Sequence, residues 1–247
     1  MKLLILNPNT TPDVTRMIED AAIGVPAPGT EVTVLTAEWG LPYIATRAEA
    51  VIAGHVMIEM LAKHHQDYDA AIIAAFGDPG LGGARELFDI PVIGLSEAAM
   101  LTACMLGRRF SVITFSPALR PWYVECVEWH GLQGRCASIR ALDEPFTSVS
   151  DVQQDKEDKL VDLARLAIEE DGADVVIPAG TPLAGLARRI RDRFDVPVVD
   201  LVASSVKQAE AMVALRHRKP ISGTFKRPAP KTSTGLAPHL AARFAGE

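Results

Sequence analysis

The side chains best placed for chemistry stand in four short loops, Asn7 to Thr11, Ala75 to Asp78, Thr114 to Ser116 and Gly180 to Thr181. Asn-Pro-Asn-Thr-Thr at 7–11 offers amides and hydroxyls that can bind a planar ureide or a carboxylate, although the same side chains also suit a capped strand-end turn. In Ala-Ala-Phe-Gly-Asp-Pro-Gly at 74–80, Gly77 and Gly80 permit close backbone approach, while Asp78 either caps a helix or meets a substrate N–H. Thr114 and Ser116 are suited to a carboxylate or carbonyl, or Ser116 simply caps the helix that follows. Thr181 supplies a hydroxyl, a poor base at neutral pH unless activated. Glu97 is a candidate buried base with a pKa raised by desolvation, and helix-start electrostatics explains it equally well. His55 reads as a helix-face histidine, yet an imidazole in the cleft would be the best remaining base. Tyr43 is either a ligand contact or a core residue, and His64-His65 are expected in solvent near a helix end.

Other chemistries are disfavoured. Cys104, Cys126 and Cys136 lack C-x-x-C spacing and form an odd set, which argues against disulfides or a zinc cluster and for buried reduced thiols. Cys126 is expected inside a helix and Cys136 at the start of a strand, away from its carboxyl end. No spacing suggests a metal site. Gly80-Leu81-Gly82-Gly83 lacks a full dinucleotide fingerprint. The net charge of −6, with acids and bases interspersed, gives no footprint for nucleic acid. A small molecule is the expected partner.

The elements that must position these loops can be read from the apolar pattern. Short apolar runs alternate with longer helical stretches, which predicts β-α units around parallel sheets. Strands are expected near 2–6, 31–36, 70–75, 91–94, 109–114, 135–141, 173–178 and 196–199. Thr11-Pro12 and Ser116-Pro117 each place a capping oxygen before a Pro at the first helical position, and Ser96-Glu97 and Thr46 to Glu49 mark further helix starts. The chain also repeats itself at a spacing of about 105 residues. Asp69 to Ala75 corresponds to Asp174 to Gly180, and Phe88-Asp89-Ile90-Pro91-Val92 to Phe194-Asp195-Val196-Pro197-Val198. The fold class expected is therefore α/β, two pseudo-symmetric lobes with mainly parallel sheets and a cleft between the carboxyl ends of their strands, where such sheets bind ligands. The lobes are assigned to 1–105 and 106–215, with possible return of the C-terminal segment to the first.

The tail, 216–247, carries four prolines, seven Lys/Arg and one acid, and is expected to run irregularly over the surface or onto a neighbouring subunit. A homo-oligomer follows as an expectation. At 247 residues and 48% hydrophobic, the chain can bury a substantial core, and no apolar run reaches the roughly 20 residues that span a bilayer. Its start reads as a first strand rather than a signal peptide, so a cytoplasmic location is expected.

Six segments carry a family resemblance: Asn7-Pro8-Asn9-Thr10, Pro42 to Arg47, Phe76 to Leu81, Pro91 to Gly94 with Ser96 to Ala99, Ala184-Gly185-Leu186, and Ser222 to Phe225. Over roughly residues 2–240 the chain resembles the aspartate/glutamate/hydantoin racemase superfamily, nearest its hydantoin and allantoin racemase branch. The resemblance implies a cofactor-independent enzyme acting at the acidic α-carbon of a small cyclic ureide, amide or carboxylate. Tyr43 resembles a substrate-contacting position of the hydantoin branch, and with it Asn7, Phe76, Gly77, Asp78, Glu97, Thr114 and Thr181 make up the candidate ligand contacts. The resemblance also implies two cysteines on opposite faces of that carbon, one thiolate removing a proton and the other thiol supplying one. Their positions are 75 and 180, and this chain has Ala75 and Gly180 there. Neither transfers a proton. The expectations are then an enzyme that departs from two-cysteine chemistry, or alternatively a catalytically silent ligand-binding member, a lyase or decarboxylase, or an engineered inactive racemase.

Overall fold

The computed structural model describes residues 1–145, 148–149 and 151–246. Two parallel sheets dominate it. The first has the order β2-β1-β3-β4, from β1 (Lys2–Asn7), β2 (Glu31–Thr36), β3 (Ala70–Ile73) and β4 (Val92–Gly94). The second has the order β6-β5-β7, from β5 (Phe110–Thr114), β6 (Cys136–Ala141) and β7 (Val175–Pro178). Leu3 to Leu6, Ala70 to Ile73 and Phe110 to Ile113 are buried throughout, as central parallel strands covered on both faces must be.

The run at 196–199 does not form the expected eighth strand. It makes a single bridge, Val176 to Val198. Asp200 already caps the next helix, its side chain accepting from the Ala203 N–H at 2.9 Å, so the chain leaves the sheet after that one contact.

Helix starts fix where the loops point. Pro12 opens α1 (Pro12–Ala22), but Thr11 does not cap it, its hydroxyl donating instead to the Pro42 carbonyl at 2.7 Å. Thr46 and Glu49 form the expected capping box of α2 (Arg47–His64). The helix α3 (Leu81–Leu87) follows β3, and α4 (Leu95–Leu106) follows β4 directly. Ser116 makes no side-chain cap; a single 3-10 turn over Pro117–Leu119 leads into α5 (Arg120–Trp129). The second half continues with α6 (Val152–Glu169), α7 (Leu186–Ile190) and α8 (Leu201–Leu215).

The two halves exchange helices. Besides β4, α4 packs against β5 and β7 of the second sheet, while α8 packs against β3 and β4 of the first and against α4 itself. One hydrophobic core therefore runs through both sheets, with a second cluster on the far face of the first sheet. The tail closes on that cluster. Its final helix α9 (Pro238–Ala245) buries Leu240 there and packs on α2. Lys219 donates to the carbonyls of Arg85 and Phe88, and Arg227 pairs with both oxygens of Asp89 at 2.7 Å. Among the described residues no helix is long and apolar enough to cross a membrane.

Candidate active site

The loops at the carboxyl ends of β3, β5 and β7 meet the loop after β1 at a small cavity between the sheets, lined by both Ala75 and Gly180. Five aromatic rings crowd it: Tyr43, Phe76, Phe115, Trp122 and Tyr123. Phe76 and Tyr123 lie 4.7 Å apart between centroids, and Tyr43 and Phe115 6.1 Å. The cavity volume is about 20 Å³, room for about one water molecule. Asn9 and Thr181 are its other polar side chains.

Gly180 is held at φ +109°, where L side chains are strained, and a Cβ there would lie 2.9 Å from the Phe115 ring. The backbone and its neighbour have thus closed over the position to which the resemblance assigns a cysteine.

Neither tyrosine of the cleft ionises near neutral pH. Burial pushes the Tyr43 phenol well above its ordinary 10, with a further push from Glu49. Burial does the same to Tyr123, whose hydroxyl also bonds to Thr114.

The other residues expected to contact ligand are committed elsewhere. Asn7 is fully buried and ties its own loop together, its amide donating to Asn9 Oδ1 at 3.1 Å and Thr15 Oγ1 at 3.0 Å. Asn9, rather than Asn7, reaches the cavity. Thr114 Oγ1 donates to the Ala179 carbonyl at 2.9 Å, and Thr181 Oγ1 donates across the two halves to the Ala74 carbonyl at 3.0 Å. Gly77 faces a different cavity, and its N–H donates to Ser96 Oγ at 2.6 Å.

Asp78 and Glu97 belong to a separate buried network. Asp78 caps α4, its two oxygens accepting from the Ser96 and Glu97 N–H groups at 2.9 Å each. Asp78 Oδ2 also lies 3.1 Å from His130 Nε2, and Glu97 Oε1 lies 3.6 Å from His130 Nδ1. Arg85 grips both oxygens of Glu97. Glu97 is therefore not the raised-pKa base expected. Burial opposes its charge, but the bonds from His130 and Arg85 prevail and hold its pKa down at about 2. Burial likewise opposes a charged His130, yet Asp78, Cys126 and Glu97 together lift it to about 11.

The remaining histidines lie away from the cleft. His55 is half-exposed on α2, edge-on to Trp39 and 3.6 Å from Glu59. His65, expected in solvent, is buried against Phe88, because the tight turn that ends α2 holds its Nδ1 2.9 Å from the Leu61 carbonyl. Cys104 and Cys136 are half-buried and Cys126 buried, all three as free thiols.

Beyond Trp122 lies a cavity of about 570 Å³ between α2, the loop at 77–80 with the start of α3, and α5, lined by Asp78 and Cys126. Trp122 lines both cavities. It sits so close over Gly77 that a Cβ there would fall 2.3 Å from the indole. Sequence reasoning missed Trp122, Tyr123 and His130. The available signal was the start of α5 at a strand end, which aims its first turn into the cleft, and the i, i+4 spacing of Cys126 and His130.

Two pseudo-symmetric parallel sheets with facing strand ends and a cleft between them define the class. The Asp/Glu/hydantoin racemase family model matches residues 3–209, and the chain belongs to that family. It is 31% identical to the hydantoin racemase of Paenarthrobacter aurescens over 94% of this chain and 99% of that one. It is 33% identical to the hydantoin racemase of Pseudomonas sp. (strain NS671) over 95% of each. The structure superposes on allantoin racemase from Klebsiella pneumoniae with a TM-score of 0.91 at 33% identity, covering 97% of this chain and 98% of that one. Within the family, the chain stands with the hydantoin and allantoin racemase branch.

Proposed function

We infer that this protein binds a small planar ureide or related carboxylate in the interlobe cleft and does not racemise it by two-thiol proton exchange. The observation that carries this reading is the cleft lining. Between Ala75 and Gly180 it offers an amide, a hydroxyl already donated to a carbonyl, and two phenols held protonated. None of these removes a proton from an α-carbon near neutral pH. Glu97 and His55, the two bases considered from sequence, do not line that cavity. The closure of Phe115 over Gly180 supports divergence of the site rather than a simple exchange of cysteine for glycine in an otherwise unchanged pocket. The ureide class is supported by the hydantoin and allantoin racemases that the chain resembles.

A five-membered ring is far larger than 20 Å³, so binding requires a side chain to move. Trp122, which borders the larger cavity, has the space to swing outward. The test is proton–deuterium exchange by NMR with polarimetry on 5-substituted hydantoins and allantoin, beside thermal melts with the same compounds. The expected result is no exchange above the protein-free control, with a raised melting temperature for at least one compound. Exchange or optical change catalysed by the protein overturns the reading.

A further inference from the structure

Asp78, Cys126 and His130 form a cluster that the cleft does not use. One ligand-type atom from each, a carboxylate oxygen, a thiol sulfur and a ring nitrogen, lie within 4.8 Å of one another. Cys126 comes from α5 and His130, four residues on, from the C-terminal cap of that helix, while Asp78 comes from the loop after β3. The side chains of Asp78 and His130 are only 2% and 5% exposed, so a bound ion would be shielded from bulk water.

The set suits a zinc-class ion. Thiolate, imidazole and carboxylate are the donors such ions take, with bonds of about 2.0–2.3 Å arranged tetrahedrally. Bonds of about 2.0 Å to nitrogen and oxygen place those atoms roughly 3.3 Å apart in a tetrahedron. Asp78 Oδ2 and His130 Nε2 already stand 3.1 Å apart, within a few tenths of an ångström of that spacing, and the Cys126 sulfur lies within 4.8 Å of both.

The groups behind the donors are also those of a metal site. A ligating histidine commonly presents its second ring nitrogen to a carboxylate. Here His130 Nδ1 faces Glu97 Oε1, and Arg85 fixes Glu97 from the other side. Asp78 is fixed by two backbone N–H groups. Asp78 and Cys126 line the 570 Å³ cavity, which leaves the fourth position open to a small molecule. We propose that Asp78, Cys126 and His130 bind one zinc-class divalent ion, with its open coordination position facing this cavity. The site is independent of the ligand reading for the interlobe cleft, because metal binding and hydantoin exchange are measured separately.

The test is titration of the chelator-treated full chain with Co²⁺ and then Zn²⁺. One equivalent of Co²⁺ should give a thiolate-to-cobalt charge-transfer band and the visible bands of a four-coordinate ion, both lost on adding Zn²⁺. Cys126→Ser should abolish the charge-transfer band, and Glu97→Gln should weaken binding about tenfold. The Cys104→Ser/Cys136→Ser double variant should keep the band. Absence of the band in the wild type, or its survival in Cys126→Ser, overturns the proposal. Should Cys126→Ser fail to fold, alkylation of wild-type Cys126 followed by mass spectrometry decides. Protection by Zn²⁺ supports the site, and an unchanged rate overturns it.

Discussion

Restoring a side chain at position 180 should be costly, and the cost can be worked from the local geometry. Gly180 has φ +109°, and holding an L residue in such a region costs about 1–3 kcal/mol. Its new Cβ would meet Phe115 at 2.9 Å, and overpacking a buried site adds about 1–3 kcal/mol. Gly180→Ala carries both terms, so it should lose about 2–6 kcal/mol, and Gly180→Cys slightly more. For a chain of this size that is a fall of roughly 4–24 °C in melting temperature. Ala75→Cys is the internal comparison. Position 75 already bears a Cβ and is not at positive φ, so only the sulfur is new and the expected cost is about 1 kcal/mol. The assay is urea unfolding of the three variants, with Phe115→Ala added to Gly180→Ala in a double-mutant cycle. The steric share should appear as a coupling of about 1–2 kcal/mol, with the backbone share remaining. A Gly180→Ala variant within 0.5 kcal/mol of wild type would refute the reasoning, because it would mean that the closed backbone at 180 is not the conformation in solution.

The state of the two cleft tyrosines sets an alkaline signature. Because burial raises both pKa values above 10, the folded chain holds phenolic protons more tightly than the unfolded one; the stability this contributes is complete below pH 10 and falls as pH rises beyond it. Tyr43→Phe should flatten that fall in melts taken from pH 9 to 11, and an unchanged slope would contradict the assignment. Thr181→Val should cost about 1–3 kcal/mol by stranding the buried Ala74 carbonyl, whereas Thr181→Ser should retain wild-type stability within about 1 kcal/mol, both read by urea denaturation. Leu240→Ala should cost about 2–4 kcal/mol, since α9 seals the outer core through that side chain; a loss below 0.5 kcal/mol would show that the tail does not pack on the first sheet in solution.

The fold was legible where a local cause and the tertiary outcome coincide. The apolar run Leu3 to Leu6 is a central strand because nothing in it tolerates water, and Thr46 with Glu49 starts a helix because their bonds close within four residues. The 196–199 run misled because its apolar content says nothing about how soon the chain must turn, and Asp200 turns it into α8 at once. The site was less legible, since its contacts span long separations. His130 meets Asp78 across 52 residues, and the spacing of Cys126 and His130 says nothing of that partner. The same holds for Phe115, whose ring decides what Gly180 can become.

The segment Phe76 to Gly80 is held by packing and capping contacts. Phe76 packs on Tyr123, Gly77 leaves room for Trp122, and Asp78 caps α4. Each of these jobs holds two elements together, and none needs a thiol at position 75. The motif therefore serves the fold through these contacts whatever residue stands at position 75. Cys126, on α5, and His130, at its C-terminal cap, lie outside the segments that carry the resemblance. The cap that Asp78 gives α4 holds its carboxylate against them. The loop that joins β3 to α3 thereby brings Asp78, on the far side of Trp122, to the one group of three such donors within reach of one another among the described residues.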